Sequence, residues 1–173
     1  MPDDLDDRVG VLTRREIEAR ILAPLVERLT AELGAERAEA LLRDVVEAEA
    51  RRGGAAMRER AAGAGDPDDL RSFAAQWEPW FRGGALEIRT LDASADAWRF
   101  DVTRCRYAEM YRALGLERYG AMLSCRRDAA LITGYSTEIH FDRSQTIMEG
   151  ASHCDFHYRR VREGGGADAG GDV

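Results

Sequence analysis

The chain has 173 residues, 45% hydrophobic and 33% charged, with a formal net charge of −7, which suits one compact domain rather than two. All 25 basic residues are arginine and asparagine is absent, so a Schiff-base lysine, a lysine nucleophile and a P-loop lysine are excluded. The acidic balance argues against nucleic acid and anionic membranes as partners. No apolar run approaches the ~20 residues of a membrane span, and the start of the chain (Asp3, Asp4, Asp6, Asp7) has no signal-peptide pattern. The expected location is the cytoplasm.

A flexible acidic N-terminus is expected over residues 1–12, one domain over 13–162, and a disordered tail rich in Gly, Ala and Asp over 163–173. Thr13 with Glu16 makes a capping box, after which Ile17, Ile21, Leu22, Leu25, Leu29 and Leu33 mark the apolar face of a helix that ends at Gly34. A second helix starts near Ala35, with Leu41, Leu42, Val45 and Val46 inward and a break at Gly53-Gly54. Asp66-Pro67-Asp68-Asp69 reads as a helix start, followed by Leu70, Phe73, Trp77, Trp80 and Phe81 and a stop at Gly83-Gly84. The helical part thus covers 13–82.

The period changes to two over Leu86–Thr90 and again over Trp98–Val102, which predicts a hairpin. Short helices follow over 104–114 and 117–125, then a helical turn over 128–131 and a break at Gly134. Strands are expected over 138–143, 146–149 and 154–161, within a sheet and site region spanning 85–162. The order predicts an α+β fold: N-terminal helices packed on an antiparallel sheet, with short helices inserted between strand hairpins.

Every cysteine (Cys105, Cys125, Cys154) and histidine (His140, His153, His157) lies between 105 and 157. The thiols are odd in number and widely spaced, which suits reduced cysteines. Cys125 and Asp128 share one face of a helical turn. Strand parity turns Cys154, Phe156 and Tyr158 toward the helices and His153, Asp155 and His157 away, so the three thiols are expected to converge. Thiols 20 and 29 residues apart, with no close Cys pair, argue against structural zinc, and no cofactor is expected.

Phe100-Asp101-Val102-Thr103-Arg104-Cys105-Arg106-Tyr107-Ala108-Glu109, Leu114-Gly115-Leu116, Cys125-Arg126-Arg127-Asp128, Arg143-Ser144-Gln145-Thr146-Ile147-Met148-Glu149-Gly150 and His153-Cys154-Asp155-Phe156 stand in this order. Together they resemble the L-2-amino-thiazoline-4-carboxylic acid hydrolase family over roughly Trp77 to Arg160. The family often has a proline where this chain has Ser136-Thr137-Glu138. The resemblance implies attack on the C=N carbon of a small cyclic isothiourea or amidine-like substrate, opening a thiazoline to an N-carbamoyl-cysteine.

On that reading Cys125 is the first candidate nucleophile and Cys154 the second. His153 is the proton shuttle, provided that it precedes the regular strand where the chain turns out of Gly150, and Asp128 or Asp155 orients a cationic amidine. Arg143 holds a substrate carboxylate with help from Gln145 and Thr146, and Cys105 lines the pocket. The partner is a small molecule carrying a carboxylate, and a homo-oligomer stays open. The rivals are a non-catalytic small-molecule-binding or thiol redox-sensing domain, and a metal-dependent hydrolase.

Overall fold

In the computed structural model, which describes residues 8–63 and 65–161, helices pack on a sheet made of one long hairpin and a second, shorter strand pair. Helices α1 (Val11–Leu33) and α2 (Ala35–Ala62) come first, then α3 (Leu70–Ala75) and α4 (Glu78–Phe81). Strands β1 (Leu86–Ala93) and β2 (Ala97–Cys105) lead into α5 (Arg106–Ala113), α6 (Glu117–Gly120) and α7 (Arg126–Tyr135). Strands β3 (Ile139–Asp142) and β4 (Cys154–Arg160) complete a sheet of order β1-β2-β4-β3, antiparallel throughout. The expected α+β architecture is therefore present.

One sheet face is an aromatic layer, because alternate residues of a strand point the same way. Phe100 stacks on its cross-strand partner Phe156 at 4.8 Å, and Phe73 and Trp77 meet the layer edge-on, Trp77 lying 5.4 Å from Trp98 and Phe73 5.1 Å from Tyr158. A second apolar cluster lies between α1, α2 and α5, around Val26, Val46, Tyr111 and Leu123. Trp80, Leu86, Cys105 and Ile147 pack against both clusters.

Several local expectations are corrected. Helix α1 begins at Val11 behind Gly10, without a capping side chain, so Thr13 is not its cap. Its buried side is Val11, Arg15, Ala19, Ala23 and Val26, while Ile17, Ile21, Leu25 and Leu33 are about half exposed or more. Ala19 and Ala23 thus hold the middle of the inward face. Helix α2 runs through Gly53-Gly54, and α7 runs through Gly134. Asp69, rather than Asp66, caps α3 by accepting the Arg71 N–H at 2.8 Å, and the helix restarts at Glu78 because Pro79 has no N–H to continue it. Residues 147–149 form a 3₁₀ turn instead of a strand, since the Thr146 hydroxyl accepts the Glu149 N–H at 3.2 Å. Gly83 and Gly84, with φ of 66° and 67°, end the helical part as expected. Of the segment expected to be flexible, residues 1–7 lie outside the described residues and Val11 is helical and buried; the whole of the expected tail, 163–173, also lies outside them. Among the described residues, no helix is long and apolar enough to cross a membrane.

Candidate active site

The three cysteines stand at three junctions. Cys105 closes β2 and caps α5, Cys154 opens β4 next to β2, where it pairs with Val102, and Cys125 stands at the head of α7. Between them lies a cavity of about 60 Å³, space for roughly four to six waters or a small ring compound. All three thiols line it, together with Asp128 and Arg143. Trp77, Trp80, Val102 and Phe156 form the wall on the sheet side, and Val11, Arg15, Tyr107 and Met148 the wall on the α1 side. The convergence expected from strand parity is thus realised in one cavity.

Just before α7 the helix widens into π geometry over Ala121–Cys125, where the Arg126 N–H reaches the Ala121 carbonyl five residues back. Two carbonyls of this stretch accept from side chains: Leu123 from Arg127 Nε at 2.7 Å and Cys125 from Arg143 Nη2 at 3.0 Å. The other terminal nitrogen of Arg143 bonds the Asp128 carboxylate, and its guanidinium lies 5.2 Å from the Phe156 ring and 5.7 Å from Phe141. Arg143 therefore holds Asp128 and the backbone of Cys125 together, and much of its fork is already engaged.

The sequence-predicted residues divide into two groups. Cys105, Cys125, Cys154, Asp128 and Arg143 come together at the cavity, whereas His153, Gln145 and Asp155 do not line it. His153 lies on the far side of the sheet, with Nε2 2.9 Å from Gln145 Nε2, Nδ1 3.0 Å from Ser152 Oγ and Nε2 3.9 Å from Asp101. It cannot serve as proton shuttle to these thiols, because it stands just before β4 and its parity opposes that of Cys154. Asp155 accepts the N–H groups of Ser144 and Gln145 at 3.0 and 2.9 Å and the Ser144 hydroxyl at 2.7 Å, which makes it the anchor of that loop rather than an amidine partner. Thr146 is buried and bonds Glu149, also away from the cavity lining. Sequence reasoning missed Arg15, Arg127 and Tyr107 on the cavity wall. The available signal was a charged residue, Arg15, standing in the four-residue repeat Val11, Ala19, Ala23.

A sequence model of the family described as L-2-amino-thiazoline-4-carboxylic acid hydrolase matches residues 14–158. The chain belongs to this family. The match takes in α1 and α2 as well as the cavity motifs, and so reaches well beyond the stretch whose residues carried the resemblance. The family is by description one of hydrolases. The curated proteins contain no match to the chain. Among solved structures, the phenol-responsive sensory domain of the transcription activator PoxR, with phenol, is similar at 16% identity and a TM-score of 0.45, over 82% of this chain and 74% of that one. A trafficking protein particle complex subunit 3 from Naegleria fowleri, covalently bound to palmitic acid, is similar at 9% identity and a TM-score of 0.49, over 87% of this chain and 99% of that one. Likeness at this level says nothing of what the chain binds.

The thiols of this family member are not equivalent. Burial pushes all three upward in pKa, since a thiolate is poorly solvated there. For Cys125 burial is joined by the adjacent Asp128 charge, opposed by Arg143, and the thiol is raised furthest from its ordinary range. Burial takes Cys154 up to about 11 against one opposing hydrogen bond, from Ile147 N–H at 3.2 Å. For Cys105 the effect of burial is opposed by the N–H groups at the start of α5, Ala108 N lying 3.5 Å from its sulfur. Asp128 is itself raised by burial, with Arg143 acting against the rise. Among the described residues, no three His, Cys, Asp or Glu side chains stand close enough to hold a metal ion.

With every thiol raised, the thiolate is a minor species at neutral pH. Its fraction grows about tenfold per pH unit below the pKa. Iodoacetamide labelling of the native protein, followed by peptide mass mapping, should therefore be slow at pH 7 and accelerate steeply toward pH 9. A rate that does not change between those values would contradict these environments.

Proposed function

We propose that this chain hydrolyses a small ring carrying a C=N carbon between two heteroatoms, such as L-2-amino-thiazoline-4-carboxylate, through a covalent adduct on Cys105. The observation that carries the reading is the convergence of three thiols with the Asp128–Arg143 pair on one small, largely apolar cavity in a chain of this family. Cys105 replaces Cys125 as first candidate nucleophile because helix-start N–H groups face its sulfur and outweigh the Asp128 charge there, whereas no N–H faces the sulfur of Cys125 and Asp128 is the leading charge against it.

The Cys105 sulfur adds to the ring carbon and its proton passes to the ring nitrogen. The bond from that carbon to the ring sulfur then breaks, and the departing sulfur takes a proton from the nitrogen of the isothiouronium so formed, relayed by the Asp128 carboxylate that Arg143 holds in place. Water adds across the C=N bond of the resulting enzyme-bound isothiourea, its proton passing to nitrogen through the same carboxylate. The carbon–Cys105 bond breaks, the thiol is restored, and N-carbamoyl-cysteine leaves. The sum is substrate plus one water. No histidine is needed, because the substrate nitrogen accepts the first proton. The test is incubation with L-2-amino-thiazoline-4-carboxylate, with thiol release followed colorimetrically. Stoichiometric new thiol supports the reading, and none overturns it for this substrate.

A second reading, a binding domain without catalysis, is favoured by one observation: all three thiols are held mainly neutral, with no histidine on the cavity wall. On that reading the thiazoline binds and is recovered unchanged.

A further inference from the structure

Three arginines line the cavity, Arg15, Arg127 and Arg143. Arg143 is matched by Asp128. The other two share a single carboxylate: Arg15 Nη1 lies 3.0 and 2.8 Å from the two oxygens of Glu18, and Arg127 Nη2 lies 3.0 Å from one of the same oxygens. Arg15 is 5% exposed, and the Arg127 side chain 12%. Among the described residues, two largely buried cations on one carboxylate, which Arg14 Nε also approaches at 3.6 Å, leave a positive charge without a counter-ion at the cavity wall, an arrangement that is costly unless an anion completes it. The strain is visible in Arg127, where burial and then the neighbouring Arg15 bring the pKa down to about 10.

Two further donors are in the same condition. The Tyr111 hydroxyl, fully buried in the field of Arg15 and Arg127, makes no hydrogen bond with any described residue. The Trp77 indole N–H, on a residue of the cavity wall, also makes none. Arg143, by contrast, already donates to Asp128 and to the Cys125 carbonyl.

We propose that Arg15 of α1 and Arg127 of α7 form an anion subsite in this cavity and receive the carboxylate of the ligand, the role that the sequence suggested for Arg143. The ligand class is a small five-membered ring acid, its carboxylate on the paired guanidiniums and its ring reaching toward the thiols. Assignment of that acid as the substrate rests on the hydrolase reading above; the subsite itself does not. Glu18 has a defined part as well: it holds the two arginines side by side and sets how much positive charge is left for the ligand.

The test is titration calorimetry of the full chain with pyrrole-2-carboxylate and with pyrrole-2-carboxamide, rings of one shape that differ in charge and have no hydrolysable thiazoline carbon. The carboxylate is expected to bind tenfold or more tightly than the carboxamide. Arg127→Gln should remove that difference and leave the carboxamide affinity within about twofold. Glu18→Gln keeps both arginines and should tighten the carboxylate several-fold, a gain that misfolding would not produce. Equal binding of the two rings, no binding of the carboxylate, equal weakening of both by Arg127→Gln, or loss of carboxylate affinity in Glu18→Gln would each overturn the subsite. A protein that binds the ring acid but never opens a thiazoline keeps the subsite and loses the hydrolase reading. One that opens thiazolines without preferring the acid does the reverse.

Discussion

Cys105→Ser should lower turnover of L-2-amino-thiazoline-4-carboxylate by roughly a thousandfold or more, as loss of a covalent nucleophile does elsewhere. The replacement is nearly isosteric and the serine oxygen can still accept from Ala108 N–H at the start of α5, so the fold should be unaffected. Cys125→Ser and Cys154→Ser should retain far more activity, because two backbone N–H groups, of Ala108 and Tyr107, favour a thiolate at Cys105, against one, of Ile147, at Cys154 and none at Cys125. Steady-state rates on the three variants decide the matter. Full activity in Cys105→Ser would remove it from the chemistry, and a collapse confined to Cys125→Ser would restore the assignment that the sequence suggested.

The largest effect on stability is expected at the crossing of α2 and α7. A methyl group on Gly134 would overlap the Arg51 carbonyl oxygen and stand 2.6 Å from the Arg51 Cα. One on Gly54 would overlap the Leu131 carbonyl oxygen and stand 2.8 Å from the Tyr135 nitrogen. These are backbone atoms of packed helices and cannot step aside as a flexible side chain does. Gly134→Ala should therefore cost about 3 kcal/mol, a fall in Tm on the order of 10 °C for a chain of this size. Gly53→Ala, one residue from the crossing and with nothing within 4 Å of the added carbon, should be neutral or stabilising by up to ~1 kcal/mol. Thermal unfolding of both variants separates a steric crossing from a general intolerance of alanine. Equal shifts would contradict the close approach.

The sequence carried the strands better than the helical faces, for physical reasons that particular residues show. Cys154, Phe156 and Tyr158 point inward as their alternation required, because the period of a strand is two and its neighbour holds the register. In α1 the strongest apolar row, Ile17-Ile21-Leu25, is largely exposed, and Ala19 and Ala23 are buried in its place. That choice depends on a tertiary partner and is absent from the periodicity. The same inversion hid Arg15, which reads as a surface charge until the small-residue row is recognised as the inward one. Gly54 and Gly134 were read as helix breaks, yet glycine also stands where two backbones touch, and only the crossing tells the two apart. The cavity motifs were legible in type: three thiols, Asp128 and Arg143 do meet. The engagement of Arg143 by Asp128 was not, because it joins residues 15 positions apart, with the rest of α7 and all of β3 between them.

The central claim, a covalent adduct on Cys105, is tested most directly by rapid acid quench of a single turnover with L-2-amino-thiazoline-4-carboxylate, followed by intact and peptide mass measurement. The account predicts a transient species heavier by one whole substrate molecule, since ring opening keeps every atom, with the added mass on the peptide that contains Cys105. Completed turnover with the protein mass unchanged at every time point, or the added mass on Cys125 or Cys154, would contradict it.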